Sequence, residues 1–454
     1  MDTIIRGGTI VTAFETFRAD IGIEAGKVVE LASHVSVSAP VEVNAADKLV
    51  LPGLIDSSVF FTPGTDGVLP ADTFEAGTAA AAAGGVTTVI NQVWCRSGRS
   101  VIDTLRDTLE EVAPLAWVDF SFHALVEPNE SLPGEVFDLV YFGVPSLRLT
   151  GKRSTGTTGY DGILFAVLRE ASRCGALVGV TPANSEVTDF LAGTYLSEAK
   201  ISPDYHGRSW PAFLEKESVV KAAVYAEATA SHVHVFDLST AAGLQEIERA
   251  RVRGVQITCE THPYYLLLTK ERMYDELEGS IYITAPPLRE EQDVTRLWLG
   301  LRTGSVQTVS SGHRGLWRSQ KREPLTFADI PPGLGCIEAM LPLLYSEGVI
   351  RNLISPERLV EMLSYNPACL FGLYPEKGTV AVGADADLII FDPRRTSVLS
   401  LESLHGKSDV QPFADWDITG VVEMTFLRGQ VVYHNGVVLG SPGTGRFVKR
   451  IPLE

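Results

Sequence analysis

His232-Val233-His234-Val235-Phe236 stands directly behind a helical stretch from Glu217 to Ala230, and Val255-Gln256-Ile257-Thr258-Cys259 stands behind another from Ala241 to Arg253. A short β-branched run after each of two successive helices marks strands laid side by side with helices between them. The unit extends in both directions. Upstream, Leu177-Val178-Gly179-Val180 follows a helical stretch from Gly162 to Cys174, and Val86-Thr87-Thr88-Val89-Ile90 is a strand of the same kind. Downstream, Val306-Gln307-Thr308-Val309-Ser310 continues the series. Strand and helix alternating over about 320 residues predict an α/β fold with a parallel sheet, closed at this length into a (β/α)8 TIM barrel.

The two ends read differently. Ile4 to Val11 and Ala19 to Ile23 are short strands separated by turn residues, and Ala25-Gly26-Lys27 is a tight turn. Gly378 to Pro393 has strand, turn, strand character, and Thr425 to Gly436 reads as a hairpin with an Asn-Gly turn. The expected organisation is a composite β domain from residues 1–52 and 375–454, with the barrel at 53–374.

The 454 residues, 45% of them hydrophobic, suffice for one large core and a smaller one. No run of about 18 apolar residues is present, so no membrane span is expected. Met1-Asp2-Thr3-Ile4-Ile5-Arg6 lacks a basic region before an apolar stretch, so no secretory leader is expected. Five scattered cysteines without CxxC spacing fit reduced thiols and a cytoplasmic location. A formal net charge of −18 argues against nucleic acid or an anionic membrane as partner, leaving a small-molecule substrate or ligand.

Several segments carry a more specific signal in a fixed order. They are Leu51-Pro52-Gly53-Leu54-Ile55-Asp56-Ser57-Ser58-Val59-Phe60, Glu260-Thr261-His262-Pro263-Tyr264-Tyr265-Leu266, Ala285-Pro286-Pro287-Leu288-Arg289, Leu341 to Val349, Asn366-Pro367-Ala368 and Val382 to Leu388. Together they resemble the dihydropyrimidinase/hydantoinase (cyclic amidohydrolase) branch of the amidohydrolase superfamily. The resemblance covers nearly the whole chain. It implies a barrel carrying a β-sandwich built from both termini, and a homo-oligomer, dimer or tetramer. It also implies two metal ions at the barrel mouth, bridged by a carboxylated lysine and a hydroxide.

The ligand residues that the resemblance calls for are missing. The two first-strand histidines fall on Ser58 and Phe60, and the bridging lysine falls on Arg148, whose fixed charge prevents carbamate formation. The third and fourth histidines fall on Thr181 and Asp237, and the catalytic aspartate falls on Gly312. The substrate-contacting tyrosine falls on Arg153 and an asparagine on Pro332. Zinc needs imidazole, thiolate or carboxylate ligands in fixed geometry, so no metal and no cofactor are expected. His232 and His234 have H-x-H spacing, but counting strand parity back from Asp237 turns Val233 and Val235 inward and both histidines toward the helices.

What remains is a polar set at the barrel mouth. Asp237, His313 and Arg148 are the candidate catalytic groups: Asp237 as general base or as the partner of Arg148, His313 as acid/base, Arg148 holding an oxygen. Ser58, Thr181, Arg153, His262 and Arg289 are candidate substrate contacts. The expected activity is metal-independent general acid/base chemistry on a cyclic amide, ureide or related small polar ring: hydrolysis, ring closure or a lyase step. The alternative is a catalytically inactive pseudoenzyme serving as oligomeric partner, regulator or small-molecule binder.

Overall fold

Eight parallel strands follow one another in strict chain order around one sheet in the computed structural model. They are β1 (Leu54–Val59), β2 (Val86–Cys95), β3 (Asp119–Val126), β4 (Ser146–Leu149), β5 (Leu177–Val180), β6 (Val233–Val235), β7 (Ile257–Thr261) and β8 (Thr308–Val309). The structure describes residues 1–96, 98–151 and 158–453. The circle is drawn together where the Phe60 N–H donates to the His313 carbonyl at 2.8 Å. Every residue of β1 and of β3 is buried, as expected for a parallel sheet covered by helices outside and filled by side chains inside. The expected (β/α)8 barrel with a second β domain is thus observed.

The pleat decides which side chains reach the site. Val178, Val180, Val233 and Val235 pack into the large core shared with the helices. Leu177 and Phe236 pack with Ile55, Ile90 and Phe371, contacts between strands on different sides of the ring that fill the barrel's interior. Fully burying each such side chain contributes roughly 1.5–3 kcal/mol. The expected parity of the histidines is therefore reversed. His234 lies inside the barrel, its ring 4.7 Å from Phe236 and 5.5 Å from Phe371. The reason is local: β6 ends at Val235, and Asp237 has φ +55. A left-handed residue turns the chain, so strand alternation does not carry back from Asp237 through Phe236.

The terminal strands form one nine-stranded sheet, with the N-terminal strand Leu49–Pro52 pairing antiparallel to Leu388–Val398 from the C-terminal part. It folds over its own small core of Ile5, Ile10, Ile21, Val50, Leu388, Ile390 and Phe426. A buried lysine joins this sheet to the barrel. Lys377 Nζ lies 2.8 Å from Asp119, 2.6 Å from Asp387 and 3.2 Å from Asp385. Burial works against its charge, but Asp387, Asp119 and Asp385 outweigh that and raise its pKa. The three carboxylates are close enough to share a metal ion; here the ammonium occupies their centre.

Residues 446–453 leave the sheet and run along the barrel. Val448 N–H donates to Phe120 O at 2.8 Å, Arg450 N–H to Gly143 O at 2.9 Å, Ile451 N–H to Gly372 O at 3.0 Å and Leu453 N–H to Gly175 O at 2.9 Å. Arg450 is buried and donates from Nε to Ser121 Oγ at 2.9 Å and from Nη2 to Ser146 Oγ at 2.6 Å. Glycine at 372 is required by this contact: it has φ +71, and a Cβ there would lie 1.9 Å from the Ile451 carbonyl oxygen. Among the described residues no helix is long and apolar enough to cross a membrane.

Candidate active site

The C-terminal ends of the barrel strands open on a cavity of about 960 Å3. Barrel enzymes place their chemistry at this end because the βα loops there are free to vary. Arg148 from β4, Thr181 just beyond β5, Asp237 beyond β6 and Gly312 beyond β8 all line it, together with Phe60, Trp210, Tyr264 and Arg314.

A buried charged triad forms the floor. Arg148 donates to Thr181 Oγ1 from Nε at 2.9 Å and from Nη2 at 2.8 Å, and Nη2 also meets Asp237 Oδ2. Its guanidinium carbon lies 4.7 Å from the centroid of the Phe236 ring and 5.9 Å from that of Phe60, so aromatic faces cover a cation with little water around it. The other oxygen of Asp237, Oδ1, is 2.8 Å from His262 Nε2, and His262 Nδ1 lies 3.0 Å from the Ser310 carbonyl oxygen. Both ring nitrogens face acceptors, so the imidazolium form, with two N–H groups, satisfies both. Burial raises the Asp237 pKa, but Arg148 and then His262 outweigh it, and the carboxyl is held below its usual range. Burial lowers the His262 pKa, but the bond to Asp237 and the charges of Asp237 and Glu260 outweigh it, and the imidazole is held above its usual range.

The expected set divides on this geometry. Arg148, Thr181, Asp237 and His262 meet in one network, with Arg148 and Asp237 as the expected ion pair. His313 points elsewhere. Its Nε2 is 2.9 Å from Asp72 Oδ2, and its Nδ1 accepts from the N–H groups of Cys336 at 3.1 Å and Ile337 at 3.2 Å. The ring is fully occupied in holding Asp72, whose carboxyl is raised by burial but lowered further by His313 and the backbone of Lys407 and Ser408. Ser58 is buried in the barrel wall, its Oγ 3.5 Å from Gln92 Nε2, and does not line the cavity. Arg289 lies behind the cavity, donating to the Trp210 carbonyl at 2.6 Å and to Ser239 Oγ at 3.0 Å, with Glu215 3.7 Å away. Arg153 lies outside the described residues.

Sequence reasoning missed Tyr264, Trp210, Arg314 and the partner Asp72. Tyr264 lies inside a quoted segment, and its neighbour His262 was already a candidate; the other three carry no local signal. Arg314 forms a forked pair with Asp66 at 2.6 and 2.8 Å, pinning the loop after β1 beside the mouth.

One group here is close enough to share a cation: Asp237, Glu260 and His262 have ligand atoms within 4.8 Å of one another. The donor chemistry does not fit a metal pair. Both Asp237 oxygens are bonded, one of them to a guanidinium that cannot release its proton. Glu260 accepts from Ser57 Oγ at 2.8 Å. A divalent ion would have to displace Arg148, whose charge opposes it.

Residues 335–432 match the model of the Amidohydrolase family. The chain is 33% identical to a D-hydantoinase of Ralstonia pickettii over 99% of both chains, and 32% identical to a D-phenylhydantoinase of Escherichia coli over 100% of this chain and 99% of that one. The crystal structure of a dihydropyrimidinase from Brevibacillus agri superimposes with a TM-score of 0.97 at 33% identity, covering 100% of both chains. With a third of its residues shared along its whole length and the same barrel and β-sandwich, the chain belongs to the hydantoinase/dihydropyrimidinase family.

Proposed function

We propose that this protein acts on a cyclic amide, ureide or related small polar ring without a dinuclear metal site. The observation that carries the reading is the Arg148–Asp237–His262 triad at the floor of the mouth cavity. In this reading the ring enters with its carbonyl toward the cationic side of the triad. Arg148, a cation lining the cavity floor, stabilises negative charge gathering on that oxygen. Asp237, kept ionised by its two cations, orients the attacking water or the ring N–H as an acceptor. In hydrolysis, water oxygen bonds to the carbonyl carbon, the ring C–N bond breaks, and one water proton ends on the ring nitrogen; ring closure is the reverse.

A second reading, a pseudoenzyme that binds small molecules or partners without turning them over, is favoured by one observation. Both Asp237 oxygens are already bonded, and a carboxylate held below its usual range is a weak base. The deciding experiment treats the protein with chelator and supplies hydantoin and dihydrouracil, following the ring-opened ureido acids in both directions. Turnover that persists in chelator and disappears in Asp237→Asn and Arg148→Met supports the enzyme. Dependence on added zinc would remove the metal-independent mechanism. Absence of turnover with retained ring binding would leave the binder.

A further inference from the structure

Gly312 and Tyr264 fit together in a way the triad does not explain. Both line the mouth cavity beside Asp237. Gly312 has φ +57, and a Cβ built on it would lie 2.4 Å from the Tyr264 hydroxyl oxygen. The phenol, together with the His262 ring whose Cδ2 and Cε1 would lie 2.9 Å from that Cβ, fills the space into which any side chain at 312 would project. By resemblance, that is the position of the family's catalytic aspartate.

The ring is held firmly. It is 5% exposed, 5.0 Å from the His262 ring and 4.6 Å from the Tyr265 ring. Its backbone belongs to the short helix Pro263–Leu267. The hydroxyl, by contrast, has no hydrogen-bond partner among the described residues, and its oxygen is not among the sealed, unpartnered atoms, so it reaches the cavity. A Tyr O–H on a mostly buried ring ordinarily finds a partner, and here the cavity is where one would come from. Burial, then the charges of Tyr265 and Asp237, raise its pKa well above the usual value, so it is a donor across the working pH range.

We propose that Tyr264 is a ligand-contacting residue whose O–H donates to a carbonyl oxygen of the bound ring, and that Gly312 makes room for it. This rests on the ring-amide reading above. It assigns to a neutral phenol part of the carbonyl polarisation a metal ion would supply. The phenol's advantage at this place is that it adds no charge beside Arg148 and His262.

The test compares wild type, Tyr264→Phe and Gly312→Ala for calorimetric binding of hydantoin and dihydrouracil, for turnover, and for the near-ultraviolet tyrosine difference band on adding dihydrouracil, which does not itself absorb there. Tyr264→Phe is expected to melt like wild type, weaken binding by about 3- to 10-fold, lower kcat on the order of 100-fold and abolish the difference band. Gly312→Ala is expected to act in the same direction, pressing on both the hydroxyl and the His262 ring, and Tyr264→Met, which also lacks the hydroxyl, carries the test should the Phe variant fail to fold. Binding and turnover unchanged in Tyr264→Phe overturn this inference and leave the ring-amide reading standing. Wild type that binds neither probe overturns that reading and this inference with it.

Discussion

Arg148 and Asp237 form an ion pair in which each side chain is only 5% exposed. Charges taken out of water cost several kcal/mol each, and their attraction repays this only while both partners are present.

Removing one partner should therefore be far worse than removing both. Asp237→Ala leaves the Arg148 cation against Phe236 without its carboxylate and should destabilise by about 3–5 kcal/mol, whereas the double change Arg148→Met with Asp237→Leu should recover most of the loss. Urea denaturation of the three proteins decides it. Equal stability of the single and double variants would show that an unpaired Arg148 carries no such cost.

The pair between Asp237 and His262 sets a pH window. Asp237 is held below its usual value, so its contribution is complete above about pH 4 and is lost as pH falls through the lowered value. His262 is held above its usual value, so its contribution is complete below about pH 6.5 and is lost as pH rises through the raised value. Asp56 acts at lower pH, between its unfolded and folded values. Burial raises it from 3.8 to about 6, against the hydrogen bonds from Ser311 and Ser58 that lower it, so it favours folding at acid pH and costs stability once ionised. Stability should peak at about pH 4, fall to about pH 6 as Asp56 ionises in the unfolded chain but not in the folded one, and fall again above about pH 6.5 as His262 deprotonates. Chemical denaturation across pH checks this: Asp56→Asn should remove the fall between about pH 4 and 6, and His262→Gln the fall above about pH 6.5.

Lys377 can be tested by replacing its charge. Lys377→Ala leaves Asp119, Asp385 and Asp387 crowded without a cation and should cost about 3–5 kcal/mol. Part of that should return with millimolar calcium in the variant alone, since the three carboxylates then become a cation site. A calcium response of equal size in wild type would count against this account of the junction.

Gly372→Ala combines a left-handed backbone with a contact of 1.9 Å. The strain and the clash should together cost about 2 kcal/mol or more. Limited proteolysis should then cut the segment 446–453 in the variant and spare it in wild type. An equally protected segment in the variant would mean that the backbone yields at little cost.

The sequence carried the barrel because helix and strand periodicities are local. It also carried Arg148, Thr181 and Asp237, because the segments around them keep their order along the chain. It could not carry what depends on long-range closure. The bond that takes His313 out of the cavity joins residues 241 apart, and Arg148 meets Asp237 across 89. The reversed orientation of His234 came from a single positive φ at Asp237, which no alternation rule anticipates. The hydroxyl of Tyr264 stood in plain view in a quoted motif, but only the empty side of Gly312 gives it a direction.

Because residues 446–453 are synthesised after every strand they touch, the lower end of the barrel stays unfinished until they arrive. Arg450 brings a cation to hydroxyls on β3 and β4, two strands made more than 300 residues earlier. A nascent chain can lay down its helices and strands in sequence, but it must keep an open, polar-lined ring until residues 446–453 follow. Final closure of this barrel thus waits on a segment made after all eight strands, and without that segment Ser121 would lose its Arg450 partner while Ser146 kept only His123 among the described residues.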